Sequence, residues 1–144
     1  MAVQTDGFST TIAFSAGVSG ITVADLMPEK DVQPPGIDGG GPNDTSTMRN
    51  TAWRTLQPKS LKSLTPCNLT VAYDPAMYTE MNDMCPVNQE IVITFPDGET
   101  LTFWGWVNTF TPGVNVEGEQ PTASVEIQPS NQNNAGAEVA PVIA

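Results

Sequence analysis

The strongest constraint on this chain is the run EIVITFPDGETLTFWGWVNTF at residues 90–110. Pro96-Asp97-Gly98 has the composition of a three-residue hairpin loop, a type I turn closed by a left-handed glycine. With that loop, Phe95 lies opposite Glu99, Ile93 opposite Leu101 and Ile91 opposite Phe103. Side chains alternate faces along a strand, so Ile91, Ile93, Phe95, Leu101, Phe103 and Val107 share one face and read as core. A two-residue loop would set Ile93 against Thr102 and scatter the apolar set, since a one-residue slip exchanges the two faces. The run therefore commits the chain to antiparallel β structure.

The other face of this hairpin carries Val92, Thr94, Thr100, Thr102, Trp104 and Trp106. A sheet face turned to water is normally polar, and two tryptophans beside a valine break that pattern. Three readings are open: another element of the chain covers the face, a second copy packs on it, or the two rings form a stacking platform for sugar.

Two more segments alternate clearly. CNLTVAY places Cys67, Leu69, Val71 and Tyr73 on one face, and residues 122–128 place Ala123, Val125 and Ile127 inward with Ser124 and Glu126 outward. Further strands are expected at Thr10–Ser15 and Ile21–Met27, around the turn Ala16–Gly20, and at Arg49–Gln57 with Trp53 at its centre. One helix follows Asp74, a candidate N-cap, and Pro75 at the first helical position; Pro86 stops it. Met77, Met81 and Met84 share a face that closes one end of the core, with Glu80 and Asp83 pointing elsewhere. The expected fold is all-β with one short α-helix, an antiparallel β-sandwich or partly closed barrel of about seven strands. It occupies residues 1–130 as a single domain, followed by an extended C-terminal tail at 131–144.

Residues 28–48 hold four prolines, four glycines and almost nothing to bury. So long a Gly/Pro-rich loop in a compact domain is expected to be functional or ordered by a partner.

Composition narrows the chemistry. The chain has no histidine, so an imidazole base, a His-ligated metal and a Ser-His-Asp system are excluded. Its net charge is −11, and its cations are Lys30, Arg49, Arg54, Lys59 and Lys62. From Ser63 onward there are ten carboxylates and no cation, which argues against a basic phosphate groove. Phosphate-loop, dinucleotide and nucleophile-elbow motifs are missing, and Gly39-Gly40-Gly41 lacks the lysine and helix that a phosphate cradle needs. Asp31, Asp38 and Asp44 miss the spacing of a calcium loop. Cys67 and Cys85 are not in redox spacing and have no nearby cation, so they are expected as free, buried thiols. With no basic-then-apolar leader and no apolar run of about twenty residues, neither a secretory signal nor a membrane anchor is expected, and the acceptor motifs at Asn43 and Asn68 are expected unglycosylated. No enzyme activity, cofactor or metal is expected.

The hairpin VITFPDGETLTFWGWVNTF, the strand VEGEQPTASVEIQPS and the long Gly/Pro-rich loop of an acidic all-β chain together resemble the tail tube (major tail) proteins of long-tailed bacteriophages. The likeness covers Ala52 to Ser130. It implies a virion protein made in the host cytoplasm, stacking as hexameric rings into a hollow tube through which genomic DNA passes without specific binding. It further implies that the tube ends meet other tail proteins. No catalytic residue is carried over. Subunit-interface candidates are Trp104, Trp106, Val92, Arg49, Arg54, Lys59, Lys62, Pro35 and Gly40; lumen-facing candidates are Glu90, Asp97, Glu99, Glu117, Glu119 and Glu126. Alternatives are a carbohydrate-binding module using Trp104 and Trp106, a capsid-decoration protein, or a secretion-system tube subunit.

Overall fold

A computed structural model describes residues 10–14, 29–85 and 87–144. The expected strand at Ile21–Met27, the turn at Ala16–Gly20 and the stop at Pro86 lie outside the described residues.

The central hairpin forms in the expected register. Strands β8 (Gln89–Thr94) and β9 (Thr100–Pro112) pair antiparallel, with Ile93 opposite Leu101 and Ile91 opposite Phe103. The Phe95 N–H donates to the Glu99 carbonyl at 2.9 Å, and Gly98 takes the left-handed φ of 92° that closes the loop. Burial alternates along both strands. Ile91, Ile93, Leu101, Phe103 and Val107 are buried, while Val92, Thr94, Thr100, Thr102, Trp104 and Trp106 are partly exposed.

Around this hairpin a seven-stranded antiparallel sheet is assembled. β1 (Thr11–Phe14) pairs with β8, β10 (Thr122–Pro129) with β9, β7 (Cys67–Ala72) with β10, and β2 (Glu29–Gln33) with β7. The sheet curls into a half-barrel that brings its edge strands β1 and β2 near each other. The concave face is the core: Cys67, Leu69 and Val71 from β7, Ala123, Val125 and Ile127 from β10, and Ile12 from β1 join the β8–β9 set.

Helix α1 (Ala76–Met84) starts one residue later than expected, with Pro75 as N-cap; Asp74 still accepts the Ala76 N–H, at 3.0 Å. Met81 and Met84 are buried in the core. Glu80 was expected to point away from them, yet it is only 9 % exposed, and its Oε2 has no hydrogen-bond partner among the described residues. Position 80 lies one helical turn before Met84, so the face that seats Met81 and Met84 against the core carries Glu80 with it.

Gly105 explains why the two tryptophans are separated by a glycine. It is the β9 residue opposite Pro129, and a Cβ there would meet the Gln128 carbonyl oxygen at 2.6 Å. Just beyond, the β9–β10 register shifts between Glu126 and Ile127, leaving Asn108 as an extra residue whose amide donates to Glu126 Oε1 at 3.1 Å.

The C-terminal residues, which composition reads as a flexible tail, fold back onto the sheet. Val142–Ile143 forms β11, pairing with Thr102 and Leu101 of β9 on the side that β10 has vacated. Thr100 and Ala144 exchange backbone hydrogen bonds of 2.9 and 3.0 Å. Before that, the Ser130 hydroxyl and the Asn88 amide hold the turn near Gln132.

Cys67 and Cys85 are free thiols. Burial pushes the Cys67 thiol from its ordinary 9.0 up to about 12 and raises Cys85 as well. The unfolded chain ionises Cys67 near 9 while the folded chain keeps it neutral, so this contribution to stability is full below pH 9 and is lost as pH rises toward 12. Native protein is expected to alkylate at Cys85 well before Cys67, and Cys67→Ala should flatten the stability loss above pH 9 in denaturant titrations. Phe103→Ala should cost about 3–5 kcal/mol as a core truncation. Gly105→Ala should cost about 1–3 kcal/mol through strand separation, measured by the same unfolding titrations.

Candidate assembly surface

Residues 28–48, expected as one long loop, instead supply three strands. β2 belongs to the main sheet; β3 (Ile37–Asp38) pairs with β6 (Ser63–Leu64), and β4 (Pro42–Asp44) pairs with β5 (Leu56–Pro58). The pairings run in one sequence: Gln33 opposite Asn68, Ile37 opposite Leu64, Pro42 opposite Pro58 and Asp44 opposite Leu56. Between these pairs, the Thr65 N–H donates to the Gly36 carbonyl and the Thr45 N–H to the Thr55 carbonyl, both at 2.9 Å. Residues 29–72 are thus one long β-ribbon, rooted in the sheet through β2 and β7. At about 3.3 Å per residue, the stretch from Gln33 to Asp44 reaches up to about 35 Å.

This ribbon is not built on burial. Leu64 at its base joins the core, but Ile37, Leu56, Leu61, Trp53 and Met48 are exposed, Trp53 at 85 % and Met48 completely. Local chemistry shapes it instead. Gly40 and Gly41 adopt φ of 83° and 80°, a bend between β3 and β4 that side chains resist, and the Gly40 N–H donates to Asp38 Oδ1 at 2.8 Å.

The tip is tied by side chains. The Ser46 N–H donates to Asp44 Oδ1 and the Thr55 N–H to Ser46 Oγ, both at 2.9 Å, and the Asn50 amide donates to the Trp53 carbonyl at 2.7 Å. Arg54 Nη1 reaches Asp44 Oδ2 at 3.0 Å. The expected strand at Arg49–Gln57 is therefore mostly turn, with only Leu56–Pro58 extended and Trp53 pointing to solvent. Pairing at Asp44–Leu56 leaves residues between them to reverse the chain, and that demand overrides the strand propensity of the segment.

The ribbon gathers one group of site candidates. Arg49, Arg54, Lys59 and Lys62 all lie on it and are exposed, with Gly40 at its bend and Pro35 where it leaves the sheet. A second group is Trp104, Trp106 and Val92, partly exposed on the face of the main sheet away from the core, where Glu90 stands opposite Trp104. The acidic candidates do not converge. Glu90 and Glu126 lie on that outer face, Asp97 and Glu99 at the β8–β9 turn, and Glu117 and Glu119 in the β9–β10 connection at the other end of β9. Among the described residues no cluster of three or more Asp, Glu or Cys side chains could hold a metal, and no helix is long and apolar enough to cross a membrane.

Sequence reasoning missed a groove of about 480 Å³ on the outer side of β2, β7, β10 and β9. Asp31, Asn68, Thr70, Thr109, Ser124 and Glu126 are among its lining residues. Its only signal in the sequence is the polar phase of each alternating strand, which looks the same whether or not a groove runs across the face.

No protein-family model matches the chain, and no curated protein does. Among solved structures it is similar to a chain of the anti-feeding prophage (AFP) baseplate, with a TM-score of 0.62 and 7 % identity over 94 % of this chain and 90 % of that one. It also matches the SPP1 Dit (gp 19.1) protein of the hub adsorption apparatus in phages infecting Gram-positive bacteria, with a TM-score of 0.49 and 16 % identity. That match covers 85 % of this chain and 50 % of the other. At these identities the AFP likeness establishes a shared fold.

Hydrogen bonds from Ser46, then Arg54, hold the Asp44 carboxyl below its ordinary 3.8. A depressed carboxylate stabilises the tip above the ordinary value and loses that contribution as pH falls through its own lower one. Amide exchange at Ser46 and Thr55 is expected to accelerate as pH drops below about 4 relative to the intrinsic rate, and Asp44→Asn should remove that dependence.

Proposed function

We propose that this chain is a structural virion protein of a phage tail, which self-assembles as stacked rings, hexameric by analogy, into part of the tail tube or its baseplate end. The observation that carries this reading is the ribbon. An isolated two-stranded ribbon is marginally stable in water, and one whose apolar side chains stand in solvent gains burial, and with it stability, when a partner covers it. Trp53, Met48 and the two arginines are side-chain types favoured at the centre of protein interfaces.

The fold shared with a phage-like baseplate subunit supports the same reading. So does the outer-face pair Trp104 and Trp106, which a neighbour in a ring would finish burying. The excess of carboxylates after Ser63 suits a conduit for DNA, because a surface with few cations gives phosphate little to hold. On this reading the partners are further copies of the chain and the tail proteins at the ends of the stack. Such a role asks for neither catalysis nor a cofactor.

The test is self-assembly. Concentrated wild-type protein is expected to form rings or tubes in negative stain, and Trp106→Ala should weaken them with little loss of monomer stability. A shortened chain, with residues 39–62 replaced by Asn-Gly across the Asp38–Ser63 pair, keeps Leu64 and the sheet. It is expected to fold with a cooperative unfolding transition like that of the wild-type sheet and to remain monomeric. Assembly of the shortened chain at the wild-type concentration would refute the role given to the ribbon.

A further inference from the structure

We propose that the tip of the ribbon docks into the polar groove at the ribbon root of the next copy, a deepening that rests on the self-assembly reading above. Three observations meet here. The tip presents Met48, Arg49, Trp53 and Arg54 on a backbone already tied by Asp44, Ser46, Asn50 and Thr55, so little further ordering is needed on binding. The groove has room for side chains of that size and offers complementary chemistry: the carboxylates of Asp31 and Glu126, the amide of Asn68 and the hydroxyls of Thr70, Thr109 and Ser124. Its lining contains no cation. A guanidinium entering it can make charge-assisted hydrogen bonds to either carboxylate, with the hydroxyls and amide completing its donor fork.

The third observation is separation. Asp31 lies on β2 at the root, whereas β4 and β5 at the far end of the ribbon pack on each other rather than on β2, β7 or β10, so a tip held in this form lies outside its own groove. The contact therefore joins different copies through different surfaces. Each chain offers one tip and one groove, and a head-to-tail contact of this kind propagates until it closes on itself or builds a stack. The two sides also differ in charge: residues 34–66 carry four cations against two carboxylates, while the rest of the chain after Ser63 carries ten carboxylates and no cation.

Two charge-reversed proteins test this. One has an inverted groove, Asp31→Lys with Glu126→Lys. The other has an inverted tip, Arg49→Glu and Arg54→Glu with Asp44→Lys, which keeps an ion pair at the tip in the opposite sense. Each alone is expected to need at least tenfold higher concentration to assemble, by sedimentation velocity. An equimolar mixture is expected to assemble near the wild-type concentration, because each tip then meets a groove of opposite sign. An independent check that leaves the charges in place is Met48→Cys with Ser124→Cys in a Cys85→Ser chain, which should give a ladder of disulfide-linked oligomers on oxidation, while either of the first two substitutions alone in that chain should not.

The proposal is overturned if the inverted-groove protein assembles alone like wild type, if the mixture fails to assemble although both proteins are folded, or if the double-cysteine chain gives no ladder in assembled protein. Any of these, with wild type assembling and the shortened chain monomeric, would leave the self-assembly reading standing. A wild-type protein that stays monomeric at high concentration would overturn both.

Discussion

The structure depends on the backbone pairing of β9. It is the longest strand, and it is hydrogen-bonded to β8 along one side and to β10, then β11, along the other. Every buried residue of the hairpin owes its inward direction to that register, and Gly105 lets β9 and β10 approach closely enough to keep it. The curl of the sheet then brings β7, β1 and Met81 and Met84 of α1 onto one apolar centre. Without β9 in this register, Phe103 and Val107 would exchange places with Trp104 and Trp106, and the core would lose its close packing.

The ribbon stands under a different constraint. Its strands meet because β2 and β7 are neighbours in the main sheet, so their continuations leave side by side and pair by backbone hydrogen bonds with almost no burial. Prolines at 34, 35, 42 and 58 remove donors along it, which limits indiscriminate edge pairing. The body supplies stability and the ribbon supplies reach.

Legibility followed burial. The hairpin register, the inward sets of β7 and β10, the start of the helix near Asp74 and the free thiols could all be read from residues, because each follows from alternation, a turn or a cap within a few positions. Glu80 was misread because it was grouped with Asp83, although it stands one helical turn from Met84 and shares its face. The ribbon stayed hidden because Ile37 and Leu64, or Pro42 and Pro58, are distant in sequence and carry no apolar period. The groove stayed hidden because it is lined by side chains of four strands that are distant in sequence.

The sequence by itself determined an antiparallel β fold, its core face, its acidity after Ser63 and the exclusion of histidine chemistry, since these depend on residue type and local spacing. Only the tertiary structure decided that the Gly/Pro-rich segment is half of a projecting ribbon, that its cations share that ribbon, and that a groove lies at the ribbon root. Those are relations between residues far apart in the chain. They arise when the curled sheet sets β2 beside β7 and aims their continuation away from the core.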